Sequence, residues 1–193
     1  MNNRQQQKSD TRNYIIETAI ARFSKDGLTK TRTSDIAKDA NVSHGTIFAH
    51  FPTREDLLNT VIEEFGMKIA RRMNELINND CSIKELLTAH LKGIGEYEEF
   101  YIKLISESSL LHKSAKNTIV MIQSTISFQL LQIAEKEMEL NTIKKMPVNL
   151  MFNTWIGLVN YYLINKDLFA PTDSVIARYS EQLIEHFINI ISI

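Results

Sequence analysis

Proline occurs three times and glycine six times in the 193 residues, and that scarcity constrains the fold more than any other feature of the chain. Proline and glycine are the residues that interrupt helices and build the tight turns of sheet proteins. A chain with so few of them, and with little β-branched alternation over strand length, is predicted to be all-α, made of long helices with few stops. Apolar residues make up 44% and charged residues 23%, ordinary shares for a soluble globular protein. A chain of this length buries on the order of 70% of its unfolded surface. No apolar run approaches the roughly 18 residues of a membrane span. The polar start MNNRQQQKSDTR has no apolar stretch for a signal peptide and reads as a flexible arm on a cytoplasmic protein. Cys81 is the only cysteine, so no intrachain disulfide or multi-cysteine zinc site can form, and a packing role is expected for it.

Apolar spacing places the helices. Ile16, Ala19, Ile20 and Phe23 form one face of a first helix, which Gly27 ends. Thr33 is expected to cap a short second helix that stops near Ala40, with Asp35 at its positive end. Asn41 suits a left-handed turn, Val42 plugs the space between helices, and Ser43 caps a third helix. On that helix Ile47 and Phe51 face inward, while His44, Gly45, Thr46 and Phe48 fall on the other side. Pro52 ends it. Thr53 and Asp56 then form a capping-box pair opening a fourth helix, carried by Leu58, Val61, Ile62 and Phe65 to about Asn79, with Gly66 as a candidate bend.

Later in the chain, Gly93 and Gly95 are expected to separate a fifth helix from a sixth, and residues 112–114 lead into a seventh over about 115–140. This seventh helix is apolar on several faces, as a central buried helix would be. In the last two helices Val148, Phe152, Trp155, Val159 and Tyr162 step by four, three, four, three, as do Ile176, Tyr179, Leu183, Phe187 and Ile190. Such seams suit near-parallel packing. They are expected to join a second copy in a four-helix bundle, with Trp155, Val159, Tyr162, Tyr179, Leu183 and Phe187 at the dimer interface. Packing within one chain would show the same period.

Charge is segregated. Residues 1–54 carry nine Lys and Arg against five Asp and Glu, a net of +4, and the remainder carries thirteen against eighteen, a net of −5. Locally placed cations are what phosphate contacts require. A helix, a tight turn and a second helix with an exposed N-terminal end form the geometry that enters a DNA major groove. The stretch TRTSDIAKDANVSHGTIFAHFPTREDLL resembles the DNA-binding signature of the TetR family of bacterial transcriptional repressors. The likeness lies in Ile36-Ala37, Ala40, Val42-Ser43, Gly45-Thr46, Phe48, His50-Phe51 and Arg54-Glu55-Asp56-Leu57.

The resemblance implies a helix-turn-helix domain over residues 1–54 and a helical effector-binding and dimerisation domain over residues 55–193, the fourth helix connecting them. It implies a homodimer on double-stranded operator DNA, with Thr33 and Arg54 holding phosphates and His44, Gly45 and Thr46 approaching bases. Ser43, Phe48 and His50 belong to the same candidate surface. A glycine inside a helix costs about 1 kcal/mol against alanine, so Gly45 needs either a close approach to DNA or a tight contact with another helix. The family often has Lys at the place of His44 and Tyr at that of Phe48. A neutral imidazole still reaches a base edge, but Phe48 has no hydroxyl for phosphate and offers apolar contact, for example to a thymine methyl. His50 is expected to serve as a helix-end phosphate donor or cap, since no carboxylate joins it and His44 in a metal set.

The resemblance further implies release from the operator by a small effector that shifts the fourth helix. His90, Tyr101, Gln123 and Trp155 are the polar or aromatic candidates for that pocket, and the sparse charge of the seventh helix suggests an apolar or uncharged effector. No catalytic residues, metal site or cofactor are expected: there is no phosphate-cradling glycine loop and no nucleophile–base pair. The alternative is a helix-turn-helix structural or cell-division factor without an effector, which predicts a filled C-terminal core.

Overall fold

A stripe of Ile15, Ile16, Ala19, Ile20 and Phe23, all buried, organises α1 (Asn3–Asp26). The computed structural model describes residues 3–76 and 81–193. Gly27 closes α1 at φ 92°, its N–H donating to the Phe23 carbonyl at 2.9 Å. The expected flexible arm is instead helical from Asn3. The Gln and Arg residues there are good helix formers, and adding turns to a helix already anchored by a core requires no new nucleation.

Two seven-residue helices follow, α2 (Thr33–Asp39) and α3 (His44–His50), joined by a turn in which Asn41 takes a left-handed conformation, φ 52°. Thr33 is the first residue of α2 and not its cap; Arg32 holds the cap position, and its N–H donates to the Asp35 carboxylate at 3.3 Å. The α3 cap is as expected, Ser43 Oγ accepting from the Thr46 N–H at 3.0 Å. At the start of α4 (Arg54–Leu76), the Thr53 N–H donates to Asp56 and the Asp56 N–H donates to the Thr53 hydroxyl, each at 3.0 Å. The helix end expected near Asn79 lies outside the described residues.

The remaining elements are α5 (Ile83–Gly95), α6 (Glu98–Glu107), a 3-10 turn at Ser108–Leu110, α7 (Lys113–Glu139), α8 (Val148–Ile164), α9 (Lys166–Phe169) and α10 (Val175–Ile191). Every helix and turn among the described residues fits an all-α architecture. Gly66 does not interrupt α4; its missing Cβ makes room for Ile122. Gly93 lies inside α5 against Ile69 rather than between helices, and the break falls at residues 96–97. No described helix is long and apolar enough to cross a membrane.

Contacts divide the chain into two compact units that interleave in sequence: Met1–Phe65 with Glu99–Ile119, and Gly66–Glu98 with Val120–Ile193. A cut after Arg54 does not describe this division. Within the first unit Phe65 packs its ring 5.1 Å from Phe100 and 5.8 Å from Tyr101, so α6 is held to the end of α4 through buried rings.

In the second unit Trp155 and Phe187 are fully buried with ring centroids 5.3 Å apart, and Trp155 Nε1 donates to His90 Nδ1 at 3.1 Å. Val159 and Leu183 are buried beside them in rank. Four of the six residues expected at a dimer interface are therefore spent on the chain's own core. The other two, Tyr162 and Tyr179, are half-buried in a ring cluster with Phe169. Burial pushes His90 down to about 4, so it stays neutral and its Nδ1 remains an acceptor for the indole. The N-terminus of α10 is held by the buried Glu98, whose carboxylate accepts from the N–H groups of Val175 and Ile176 at 2.9 and 3.0 Å.

The expectation of a central, buried seventh helix is corrected. In α7, Leu130 and Ala134 are buried but Val120, Met121 and Phe128 are 58–69% exposed. A helix apolar on several faces needs neighbours on several sides, and this chain supplies them on one. The uncovered face of α7 forms, with Val148, Asn149 and Phe152 of α8, an open groove of about 720 Å³ that also takes in Gln123, Ser127 and Leu131.

Candidate nucleic-acid interface

The inward side of α3 is Ile47, fully buried, with Phe51 following at the helix end. That anchoring turns the opposite side outward: His44, Gly45 and Phe48 are exposed and Thr46 is half-buried. Thr46 is doubly tied to Ser43, through its backbone N–H and through a 2.8 Å hydroxyl–hydroxyl bond. A Cβ built on Gly45 would meet only Ser43 Oγ, at 3.6 Å, an ordinary contact. No neighbouring helix needs glycine there, so a tight helix contact does not account for its helix cost.

Thr33 and His44 are brought together across the turn, Oγ1 to Nε2 at 2.9 Å, and the His44 ring stands edge-on to Phe48 at 4.8 Å. The N-terminal ends of α2 and α3 are thereby coupled by side chains, with one imidazole nitrogen outside that bond. Phe48 keeps the imidazole upright on the surface, a job a ring without a hydroxyl can do.

Arg54 departs from its expected role. Its Nε donates to the Thr31 carbonyl at 3.1 Å and its Nη2 to the Leu28 carbonyl, so the guanidinium is largely committed to the loop between α1 and α2. The same loop is gripped from its other side by Glu107, at the end of α6. The Glu107 carboxylate accepts from the Leu28 N–H at 3.2 Å, the Thr29 N–H at 2.7 Å and the Thr29 hydroxyl at 2.6 Å. Gly27 makes the space, because a Cβ there would collide with Glu107 Oε1. Sequence reasoning missed Glu107: nothing local marks a carboxylate that works 78 residues from its partner. What the pair does physically is fix the loop's donors and acceptors with opposite charges, and the loop leads directly into Thr33.

His50 is half-buried, and its Nδ1 makes no hydrogen bond. Burial first, then the positive charges of Lys8 and Arg12, hold its imidazole below the usual histidine value. A neutral ring is a weaker phosphate donor than expected, and the cap position of α3 belongs to Phe51. The two cations beside it were not singled out from sequence.

The four residues expected around an effector are not gathered in one place. His90 and Trp155 bond to each other in the core of the second unit, Tyr101 stacks on Phe65 in the first, and only Gln123 lines the open groove. Among the described residues no group of three or more His, Cys, Asp or Glu could hold a metal ion. Cys81 is buried beside Ser82, to whose carbonyl its thiol donates at 3.2 Å.

Residues 15–61 match the sequence profile of bacterial regulatory proteins, tetR family. Over those residues the chain resembles the N-terminal part of that family. Over 90 residues it is 36% identical to the Escherichia coli (strain K12) "Probable acrEF/envCD operon repressor", an alignment that covers 47% of this chain and 34% of that protein. Over 73 residues it is 34% identical to the "Fatty acid metabolism regulator protein" of Bacillus subtilis (strain 168), covering 38% of each. The chain thus spans about a third of the length of these curated relatives. The fold extends further. The transcriptional regulator FadR from Bacillus subtilis, solved in complex with stearoyl-CoA, superposes with a TM-score of 0.73 at 22% identity, over 91% of this chain and 96% of that one. The ketosteroid transcriptional regulator KstR2 of Mycobacterium tuberculosis gives 0.74 at 15% identity, over 94% and 95%. The matched TetR-family segment runs from the core residues of α1 to Val61 of α4 and contains the whole outward face of α3.

Proposed function

We propose that this protein is a cytoplasmic, dimeric transcriptional repressor that reads a palindromic operator with α3 and is released by a small apolar or uncharged effector. The observation that carries the reading is the outward face of α3, where Gly45 stands open beside the coupled Thr33 and His44. In this reading His44, Gly45 and Thr46 approach base edges, and Thr33, Ser43 and Phe48 frame them at the groove wall. Arg54 acts by holding the loop that sets Thr33.

A palindromic site requires two copies, and α8 offers a face for the second. Leu150, Thr154, Gly157, Tyr161 and Ile164 step by four, three, four, three and are all exposed. A Cβ built on Gly157 would meet nothing within 4 Å. This row has the period of the buried Phe152–Trp155–Val159 seam, displaced by two residues, which is about 200° of helix rotation. An apolar row on the far side of a helix, with a glycine that its own chain does not need, suits close packing against the same helix of a second copy.

The open groove along α7 supports a sensor over a structural factor, because a factor without an effector has no use for exposed Val120 and Phe128 beside a cleft. The neighbour solved with stearoyl-CoA holds a molecule whose acyl chain is apolar and whose coenzyme A head is charged, so it supports an apolar cleft and not the absence of charge in the ligand. The test is selection of duplex DNA from a random pool by the purified chain, read with its solution mass. A palindrome enriched by a dimer supports the proposal and supplies the operator for effector screening by release. No enrichment over random DNA at moderate salt sinks it.

A further inference from the structure

The first three turns of α1 carry Arg4, Lys8 and Arg12 at intervals of four, a single row along the helix. Continued by the same interval, the row reaches Ile16 and Ile20, both buried. Each step of four drifts about 40° round the helix, so Arg12 shares the core-facing side with Ile16, and Lys8 and Arg4 swing progressively off it where the helix outruns the core. Arg12 fixes where that happens: its guanidinium lies over the Phe51 ring, 5.1 Å from the centroid, at the C-terminal end of α3. Lys8 lies one turn further out and is near enough, with Arg12, to act on His50 electrostatically. Arg4 and Lys8 are exposed. One carboxylate stands among these turns, Asp10, and it accepts from the Gln6 amide at 2.9 Å.

The dimensions of the reading helix give this row a target. Seven residues of α-helix measure about 10 Å, and the major groove is about 12 Å wide. A helix of that length has a phosphate wall close to each end. Ser43, Thr46 and the Thr33–His44 pair stand at the N-terminal end of α3, while the C-terminal end holds a neutral His50 and no cation of its own. We infer that the Arg4–Lys8–Arg12 row of α1 is a second DNA-contacting element, which binds the phosphate backbone beyond the C-terminal end of α3 and lengthens the site past the bases that α3 reads. The contact carries no base information and adds affinity, orientation and salt dependence.

This inference rests on the α3 reading, and the experiment separates the two. The Arg4→Ala/Lys8→Ala double variant leaves Arg12 on Phe51 and changes only exposed side chains. Its affinity for the duplex selected by the wild-type chain is measured across a salt series, on that duplex and on one trimmed of its flanking base pairs. Each lost phosphate contact lowers the slope of log K against log salt by about 0.9, so the two changes in each of two protomers should lower it by between two and four. The wild-type chain should bind the trimmed duplex more weakly than the full one, whereas the variant should not distinguish them. An Arg4→Lys/Lys8→Arg variant should restore both behaviours. An unchanged slope with unchanged length dependence overturns the inference while leaving the α3 reading intact. A wild-type chain that binds no duplex removes both.

Discussion

Two helices of this molecule expose a glycine that the chain itself does not require. On α3, Gly45 sits among His44, Thr46 and Phe48, a face that is small and largely hydrogen-bonding. On α8, Gly157 sits among Leu150, Thr154, Tyr161 and Ile164, a face that is mostly apolar with a regular seam. Gly66, Gly93 and Gly95 are different, since Ile122, Ile69 and Ile176 occupy the space each leaves. A helical glycine in open space leaves room for something outside the fold to come close, and the chemistry around it says what would suit. Hydrogen-bonding groups held in fixed positions suit the edges of bases, which are polar and rigid. An apolar row of heptad period suits another helix.

The contrast can be broken most severely at α8. Tyr161→Glu with Ile164→Glu should convert the proposed dimer to a folded monomer, a loss of at least about 5 kcal/mol in association, read by light scattering. Operator binding should fall with it, because half-sites are then engaged singly. If the doubly charged chain remains a dimer, α8 is not the interface.

At α3, Gly45→Glu should cost on the order of 4 kcal/mol over two half-sites, with dimer mass and helicity unchanged, since the fold has room for the side chain. Unfolding of this variant would contradict an outward-facing α3. Beneath α8, His90 titrates near 6.5 in the unfolded chain and is pushed down to about 4 by burial in the folded one. The unfolded state therefore binds the extra proton between those values, and stability is full above the upper one and lost as pH falls through the lower. About 3 kcal/mol should disappear across that window. Urea unfolding followed by the single tryptophan should show the loss, and His90→Gln should flatten it. The smallest effect sharpens the comparison best. Gly157→Ala should raise the stability of the dissociated chain by about 1 kcal/mol through helix propensity while weakening self-association. A variant that gains stability and associates as before would place the close approach elsewhere.

How far the sequence revealed these faces followed from what fixes them. The turn at Asn41, the Ser43 cap, the Thr53–Asp56 box and the buried Ile47 and Phe51 are local patterns, and all were legible. The seam of α8 was legible in period but its burial within one chain was not, because packing against one's own chain and against a copy obey the same spacing. The amphipathic register of α7 was hidden for the reverse reason: an apolar surface left open looks in sequence like one that is covered. Arg54 was read as free for phosphate because its acceptors are backbone carbonyls, which no side-chain pattern reports.

The Glu107 clamp bears on how such proteins can be recombined. A chimera joined within α4, made to move the α2–α3 head onto another C-terminal domain, would take Gly27, Leu28 and Thr29 but leave behind the carboxylate that the amides of Leu28 and Thr29 and the Thr29 hydroxyl address. The graft would arrive with two unanswered backbone donors and a slot at Gly27 shaped for an absent neighbour. The transferable module is thus discontinuous: it is the head together with the end of α6, some fifty residues past the point where a helix-turn-helix is ordinarily cut.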